Sequence, residues 1–195
     1  MNRKTLLLVT LFVEGGLYAF GLLLMGGSNA LQSAFSLSWV ATGYALLLCI
    51  PMFGALYLSV RSNWEPLSRL RTEMEEKVVP IFAKCKIVDL ALIALLAGVS
   101  EELFFRGWMQ GALVNKLGVI PGILIASVIF GFAHYLSAVY AIYAGLTGLY
   151  LGMIYRAFGN LYIVMAIHAL YDFIALVVLV KTLKKQLKGS KELLK

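Results

Sequence analysis

The sequence predicts an all-α protein: a polytopic transmembrane helical bundle of about six spans, with a surface helix in the loop at residues 61–86. Three observations predict this class. Of the 195 residues, 61% are hydrophobic and only 14% are charged, and the mean hydropathy is +0.87. The apolar residues fall in long runs, and the basic residues lie at the ends of those runs. Soluble, collagen-like and disordered chains do not have this composition, so we expect an integral membrane protein.

Six apolar runs are candidates to cross a bilayer, which requires ~20 residues. Gly, Pro or charged residues separate the runs. The predicted spans are about Lys4–Leu24, Leu37–Val60, Ile87–Asn115, Val119–Tyr135, Ala138–Tyr155 and Leu161–Val180. The stretch from Arg61 to Lys86 is too polar to span, so we expect one or two helices lying at the surface. In the fifth span, Ala144, Gly148 and Gly152 are spaced by four and form a smooth face for close helix packing.

Lysine and arginine are distributed asymmetrically about these spans. Two precede the first span, six lie between Arg61 and Lys86, and six follow the sixth span, which makes 14 of the 17. With six spans, these three regions share one side of the membrane, and an excess of Lys and Arg marks the cytoplasmic side. Both termini are therefore predicted to be cytoplasmic. Because the net charge of +7 follows from this topology signal, we expect no nucleic-acid partner.

The chain is predicted to have three parts. Residues 1–86 form two transmembrane helices and a cytoplasmic amphipathic loop. Residues 87–182 form a four-helix catalytic membrane core, and residues 183–195 form a basic cytoplasmic tail. Glu14 interrupts the apolar run of the first span, which argues against a cleaved signal segment. The sequence assigns no further role to Glu14.

Six ionisable residues lie inside the spans of the predicted core. A charge in hydrocarbon is costly, so such residues normally face an interior cavity and have a function. They occur in the motifs Glu-Glu-Leu-Phe-Phe-Arg, Phe-Gly-Phe-Ala-His and His-Ala-Leu-Tyr-Asp, which contain Glu101, Glu102, Arg106, His134, His168 and Asp172. The chain has no other histidines.

The first motif predicts a division of roles. Glu102 and Arg106 are four residues apart on one helix face, so they can form an ion pair that neutralises both. Glu101 is rotated by about 100° from Glu102 and cannot share that placement. We therefore interpret Glu102 and Arg106 as a structural pair and Glu101 as free for chemistry. The alternative is one structural ion cluster of all three.

The other two motifs repeat the four-residue spacing. Phe130 shares a face with His134 and is expected to support it. Asp172 lies one turn from His168 and can hold the orientation and tautomer of its imidazole. The alternatives are a hydrogen-bonded interfacial histidine for the second motif and a polar pair that joins helices for the third.

Taken together, the motifs bring proton-handling groups from three spans toward one place. One carboxylate and two imidazoles can activate a water molecule by general base catalysis. If a metal is used, Glu101, His134 and His168 are the candidate ligands, and a zinc-bound hydroxide would be the nucleophile. The residues alone leave both mechanisms open.

In this order on successive spans, Glu-Glu-x-x-x-Arg, Phe-x-x-x-His and His-x-x-x-Asp resemble the motifs of the CPBP family. This family comprises CAAX prenyl proteases and Abi-type membrane proteins that process bacteriocins or confer immunity to them. The resemblance covers about Ile87 to Val180, and residues 1–86 have no such signature. It implies a multi-pass intramembrane endopeptidase, a hydrolase of the metalloendopeptidase-like or glutamate type, in a prokaryotic cell membrane. Its partners would be membrane lipid and a peptide or protein substrate, either prenylated or a bacteriocin or other peptide precursor.

By this resemblance, Glu101 and His134 activate the attacking water, and His168 and Asp172 stabilise the oxyanion. Prenyl-protein proteases have Asn at the last position, whereas Asp172 donates a hydrogen bond only when protonated. Asp172 therefore either is a protonated donor or orients His168. The alternative from another class is a non-catalytic membrane immunity or scaffold protein with the same fold. A proton-coupled transporter is a weaker alternative, because no internal repeat is evident.

Overall fold

A computed structural model of the chain describes the backbone of residues 2–192 and the side chains of residues 2–182. Every regular element within that backbone is helical, which confirms the predicted all-α class. The α-helices are α1 (Arg3–Met25), α2 (Ser28–Ala34), α3 (Trp39–Arg61), α4 (Glu65–Glu73), α5 (Val79–Phe82), α6 (Ile87–Glu102), α7 (Gly111–Leu117), α8 (Val119–Ala133), α9 (Ala138–Phe158) and α10 (Leu161–Glu192). Two π-helical segments, Met74–Val78 and Leu103–Gln110, join α4 to α5 and α6 to α7.

Local sequence signals explain where the long helices begin and end. The side chains of Asn2, Ser38 and Ser137 each accept a hydrogen bond from a backbone N–H in the first turn of α1, α3 and α9. Such caps satisfy N–H groups that have no partner within the helix. Gly26 ends α1 in the left-handed region, at φ 104°, which a residue without Cβ adopts at little cost.

Four helical stretches are long and apolar enough to cross a membrane: α1, α3, α9 and the part of α10 from Leu161 to Thr182. The predicted third span corresponds to α6, the π segment and α7, which together form one continuous helix. The predicted fourth span corresponds to α8, an apolar helix of 15 residues, fewer than the ~20 that a bilayer needs. The chain is thus a helical membrane protein, and the number of six spans stays a prediction.

The bundle packs most closely where small residues allow two backbones to meet. A Cβ on Gly98 of α6 would lie 2.6 Å from the backbone nitrogen of Ala169 on α10. A Cβ on Gly131 of α8 would lie 2.5 Å from the carbonyl oxygen of Ala141 on α9. Small residues at such crossings are the usual means of packing membrane helices, because lipid provides no hydrophobic drive for association. These contacts bring α6 to α10 and α8 to α9.

The segment between α3 and α6 is helical, as predicted for the loop at residues 61–86. Leu70, Met74 and Val79 of this segment are buried against the bundle. Arg71 Nη1 donates to the carbonyl oxygen of Val60 at 2.7 Å, which fixes the segment to the end of α3. The basic tail predicted for residues 183–195 continues α10 as far as Glu192, and residues 193–195 lie outside the described residues.

Candidate active site

The helix that carries the first motif changes from α to π geometry directly after Glu102. π turns are rare, occur mostly inside α-helices and are frequent at functional sites. The π segment, Leu103–Gln110, turns two polar side chains toward α9. Arg106 Nη2 donates to the carbonyl oxygen of Gly148 at 2.9 Å, and Gln110 Nε2 donates to that of Gly152 at 3.0 Å. The two bonds attach the motif helix to the α9 backbone.

The small-residue face predicted on α9 is what admits these side chains. A Cβ on Gly152 would lie 2.7 Å from Gln110 Oε1. A Cβ on Gly148 would lie 3.1–3.3 Å from atoms of the Phe130 side chain. Sequence reasoning treated this face as a helix-packing feature only. The structure shows that it also supports the first two motifs.

Glu102 and Arg106 form the expected ion pair. Arg106 Nη1 lies 2.7 Å from Glu102 Oε1, and the two side chains are 2% and 0% exposed. The guanidinium carbon of Arg106 also lies 4.5 Å from the centroid of the Phe130 ring, a cation–π contact. In a buried pair of this kind each charge compensates the other, and loss of either partner leaves a buried charge without compensation. Glu101 takes no part in it, as its rotation on the helix predicts.

Glu101 instead faces His134 at the end of α8. Its Oε2 lies 3.2 Å from His134 Nε2 and has no hydrogen-bond partner among the described residues. His134 Nδ1 lies 2.8 Å from the carbonyl oxygen of Phe130, which can only accept, so Nδ1 carries a proton. In the neutral imidazole, Nε2 is then an acceptor directed at a carboxylate. The pair therefore offers two neighbouring hydrogen-bond acceptors to a donor molecule beside them.

His168 lies between two carboxyl groups. Its Nδ1 is 2.8 Å from Glu102 Oε1, and its Nε2 is 3.5 Å from Asp172 Oδ2. The first distance is a hydrogen bond, whereas the second is at the limit of one. His168 is almost fully buried, while the Asp172 side chain is 34% exposed. Glu102, not Asp172, therefore holds the imidazole of His168.

This second role of Glu102 was missed by sequence reasoning. Oε1 of Glu102 accepts hydrogen bonds from both Arg106 and His168, and the two donors come from different helices. The contact depends on the close crossing of α6 and α10 at Gly98. The small residue at 98, one turn before the Glu-Glu pair, was the available signal.

Phe130 joins the two halves of the site. Its ring centroid lies 4.4 Å from that of His134 and 6.0 Å from that of His168. It also packs edge-on against Phe105 at 4.9 Å. The aromatic ring thus contacts both imidazoles and the Arg106 guanidinium.

The site opens into a cavity of about 290 Å³. His134, His168 and Asp172 line it together with the tyrosines 140, 143 and 171. The hydroxyls of Tyr143 and Tyr171 are hydrogen-bonded to each other at 2.7 Å. The rest of the lining is mainly apolar, which is typical of pockets that bind organic ligands.

Part of the cavity wall comes from outside the predicted catalytic core. Leu56 and Val60 of α3, and Leu70, Met74 and Phe82 of the segment at residues 61–86, contribute to the lining. Ser137, at the turn between α8 and α9, is hydrogen-bonded to Glu73 of α4. The irregular backbone between α8 and α9 therefore contacts the segment at residues 61–86, which lines the cavity. Non-helical backbone within a membrane protein is tolerated at such a position. Nothing in the motifs indicated this wall.

A protein metal centre needs at least three ligating side chains around one ion. Among the described residues, no three His, Cys, Asp or Glu side chains are placed to hold one ion. Glu101 and His134 form one pair, and His168 is held by Glu102 through the nitrogen that faces away from Asp172. The candidate set of Glu101, His134 and His168 is thus not arranged as three ligands of a Zn²⁺ ion.

Comparison with known proteins gives one match. Residues 83–174 match the family model of the Rce1-like type II CAAX prenyl endopeptidases, and this segment includes every residue of the three motifs. No curated protein and no solved structure matches the chain. Residues 83–174 of this membrane protein are therefore similar to the Rce1-like CAAX protease family, the family that the motifs resemble.

Proposed function

We propose that this chain is an intramembrane endopeptidase that hydrolyses a peptide bond with a water molecule activated by Glu101 and His134. The observation that carries the proposal is the approach of Glu101 Oε2 to His134 Nε2 at 3.2 Å. Two acceptors at that separation can each take one O–H of the same water, which directs a lone pair of its oxygen away from both. A buried carboxylate oxygen without a protein donor is also the group that most needs such a partner.

In the proposed reaction, Glu101 is the general base. It takes one proton from the water as the water oxygen bonds to the carbonyl carbon of the substrate. His134 accepts the second O–H through Nε2 and orients the nucleophile. When the C–N bond breaks, the proton held by Glu101 passes to the leaving amine. The first products are a carboxylic acid and an amine, and transfer of the remaining water proton from the acid to the amine gives a carboxylate and an ammonium group. The carboxylate of Glu101 is restored when its proton passes to the leaving nitrogen.

The oxyanion of the tetrahedral intermediate needs hydrogen-bond donors. His168 is the first candidate, because its Nδ1–H donates to Glu102 and its residue lines the cavity. Its Nε2 donates to the oxyanion only in the imidazolium form. Asp172 is the second candidate, since its carboxyl group is partly exposed and is not needed to orient His168. It donates only in its protonated form.

The cavity supports a peptide substrate. Its volume of about 290 Å³ and its apolar lining suit a short run of aliphatic side chains or part of a lipid chain. The tyrosine hydroxyls offer a few polar contacts for a peptide backbone. Together with the similarity to the CAAX protease family, this supports a membrane-associated peptide or protein as the substrate.

The test uses purified protein in proteoliposomes and an internally quenched peptide that ends in a prenylated Cys-aliphatic-aliphatic-X sequence. Glu101→Gln and His134→Ala should each lower kcat by about 10²–10⁴, the usual contribution of a general base. The double variant should lose little more than the worse single variant, because both residues act on one water.

Glu76→Gln is the matched control, since Glu76 is an exposed acid of the segment at residues 61–86, and it should keep full activity. The same peptide without the prenyl group tests whether the lipid is required. Full activity of the Glu101→Gln, His134→Ala double variant would refute this mechanism. No hydrolysis by the wild-type protein would favour a non-catalytic binding protein with this fold.

A further inference from the structure

Glu14 is an acidic residue in the first apolar helix, and the catalytic proposal does not use it. It is half-buried, while Leu11, Phe12 and Val13 beside it are exposed on the outer surface of the bundle. Its Oε2 lies 2.5 Å from the hydroxyl oxygen of Ser100. Ser100 is 2% exposed and directly precedes Glu101. The contact therefore joins α1 to the α6 backbone next to the proposed general base.

The Ser100 hydroxyl has three oxygen neighbours but only one proton to donate. Its Oγ lies 2.5 Å from Glu14 Oε2, 2.8 Å from the carbonyl oxygen of Leu96 and 3.4 Å from that of Ala97. A serine hydroxyl has one proton, and backbone carbonyls only accept. If the Ser100 proton goes to Leu96, the short contact to Glu14 lacks a proton unless the carboxyl group supplies it. An ionised Glu14 would also leave an unpaired charge in an apolar surrounding, which is costly.

The charged groups that face α1 do not offer Glu14 an ion pair. Glu101, His134 and His168 act on Glu14 only through longer-range electrostatics. Asp89, Glu102 and Arg106 are the other charged residues of α6 and the π segment. Asp89 is paired with Arg3, and Glu102 is paired with Arg106. No described hydrogen bond or ion pair joins Glu14 to a cation. Protonation is then the remaining way to neutralise this carboxyl group.

We infer that Glu14 is a protonated carboxylic acid whose O–H donates to Ser100, and that it acts as a positioning residue for Glu101. The proton on Glu14 is not transferred in any step of the reaction. Ser100 in turn donates to the carbonyl oxygen of Leu96, so that the last turn of α6 is held from α1. A neutral group at this point also avoids a second negative charge beside Glu101, which must be ionised to act as a base.

The packing around this contact is consistent with a fixed position of α1. The rings of Phe20 and Phe104 stack at 5.9 Å, two turns further along α1. A Cβ on Gly21 would lie 3.2 Å from the Cα of Phe104 in the π segment. α1 therefore contacts the motif helix on both sides of the Glu-Glu pair. A hydrogen-bond donor at residue 14 sets the distance between α1 and α6 at Ser100.

Infrared difference spectroscopy tests the protonation without any use of activity. The difference between wild-type protein and Glu14→Gln in proteoliposomes at neutral pH should contain the C=O stretch of a protonated carboxylic acid. A carboxylate band in its place would overturn the inference. Because this measurement needs no substrate, it decides the state of Glu14 even if the proposed protease activity fails.

The kinetic test of positioning rests on the proposed function and uses the prenylated quenched peptide. Glu14→Gln should keep kcat, because its amide N–H donates to Ser100 without charge. Glu14→Leu and Ser100→Ala should lower kcat by up to about 10²-fold, the cost of a catalytic group misplaced by about 1 Å, with KM and the melting temperature nearly unchanged. Wild-type kcat in Glu14→Leu would overturn the positioning role. Loss of activity in Glu14→Gln equal to that in Glu101→Gln would overturn it too, since Glu14 would then take part in the chemistry.

Discussion

Arg3 and Asp89 form a two-point salt bridge between the first turn of α1 and the first turn of α6. Arg3 Nε lies 2.6 Å from Asp89 Oδ2, and Arg3 Nη2 lies 2.6 Å from Asp89 Oδ1. Asp89 Oδ2 also accepts the backbone N–H of Lys86 at 2.7 Å, which caps α6. The start of the chain and the end of the segment at residues 61–86 therefore meet at one end of the bundle.

This contact sharpens the prediction of topology. Both termini and the segment from Arg61 to Lys86 are expected in the cytoplasm, where 14 of the 17 basic residues would lie. A cysteine introduced at position 75 or position 190 should react with a membrane-impermeant maleimide only after the cells are permeabilised. Labelling of either position in intact cells would contradict the prediction. The unmodified chain, whose Cys49 and Cys85 are buried, is the background control.

The buried pair of Glu102 and Arg106 should be required for folding. Either Glu102→Ala or Arg106→Ala leaves an uncompensated buried charge, and we expect the free energy of unfolding to fall by about 3–5 kcal/mol. Unfolding in detergent, followed by circular dichroism, measures the change. Glu65→Ala removes the exposed partner of Arg69 and should have little effect. Glu101→Gln should fold normally, and an unfolded Glu101→Gln beside a stable Glu102→Ala would mean that the two roles are reversed.

The crossing of α6 and α10 should tolerate no side chain at residue 98. In Gly98→Ala the new Cβ would lie 2.6 Å from the backbone nitrogen of Ala169, so one helix must move. We expect a loss of about 1–3 kcal/mol from overpacking and a larger loss of kcat, because the contact of Glu102 with His168 lengthens.

Gly54→Ala is the matched control for this change, because a Cβ at residue 54 meets nothing within 4 Å. A helical glycine replaced by alanine in open space should keep or gain stability. Equal kcat values for Gly98→Ala and Gly54→Ala would show that the spacing of α6 and α10 does not matter for the reaction.

Asp172→Asn separates the two roles that were open for this residue. Because Glu102 already holds His168 at 2.8 Å, loss of the Asp172 carboxylate should not release the imidazole. An amide donates as a protonated carboxyl group does, so we expect kcat within about tenfold of wild type and Asp172→Ala to lose about 10²–10³.

The pH profile provides a second readout for Asp172. Asn does not ionise, so activity that depends on a protonated Asp172 should extend to higher pH in Asp172→Asn. A severe loss of kcat in Asp172→Asn, with normal folding, would favour an orienting carboxylate instead.

Much of the fold could be predicted because membrane helices leave a strong local signal. The predicted starts of α6, α8, α9 and α10 agree with the structure, since Gly, Pro and charged residues delimit the apolar runs. The short helix α2, Ser28–Ala34, was missed because its composition is that of a polar loop. The π segment was also missed, because its geometry depends on bonds to the α9 backbone and has no local sequence pattern.

The site could be predicted in part. The pairing of Glu102 with Arg106 follows from a spacing of four residues within one helix. The approach of Glu101 to His134 was only partly accessible. They lie 17 residues before and 16 residues after Gly118, but the π segment between Glu101 and Gly118 makes the rise of the two helices unequal. The contact of Glu102 with His168 was not accessible, because it depends on how closely two distant helices pack.

One wall of the cavity lies outside residues 83–174, so the segment that matches the family does not form the whole cavity. The match to the CAAX protease family begins at residue 83, yet Leu56, Val60 and Leu70 line the same space as His134 and His168. A fragment limited to residues 83–174 would keep every motif but would lose one wall of the cavity beside His134 and His168. Substitutions in α3 or at residues 61–86 therefore change the shape of this cavity and leave the three motifs untouched.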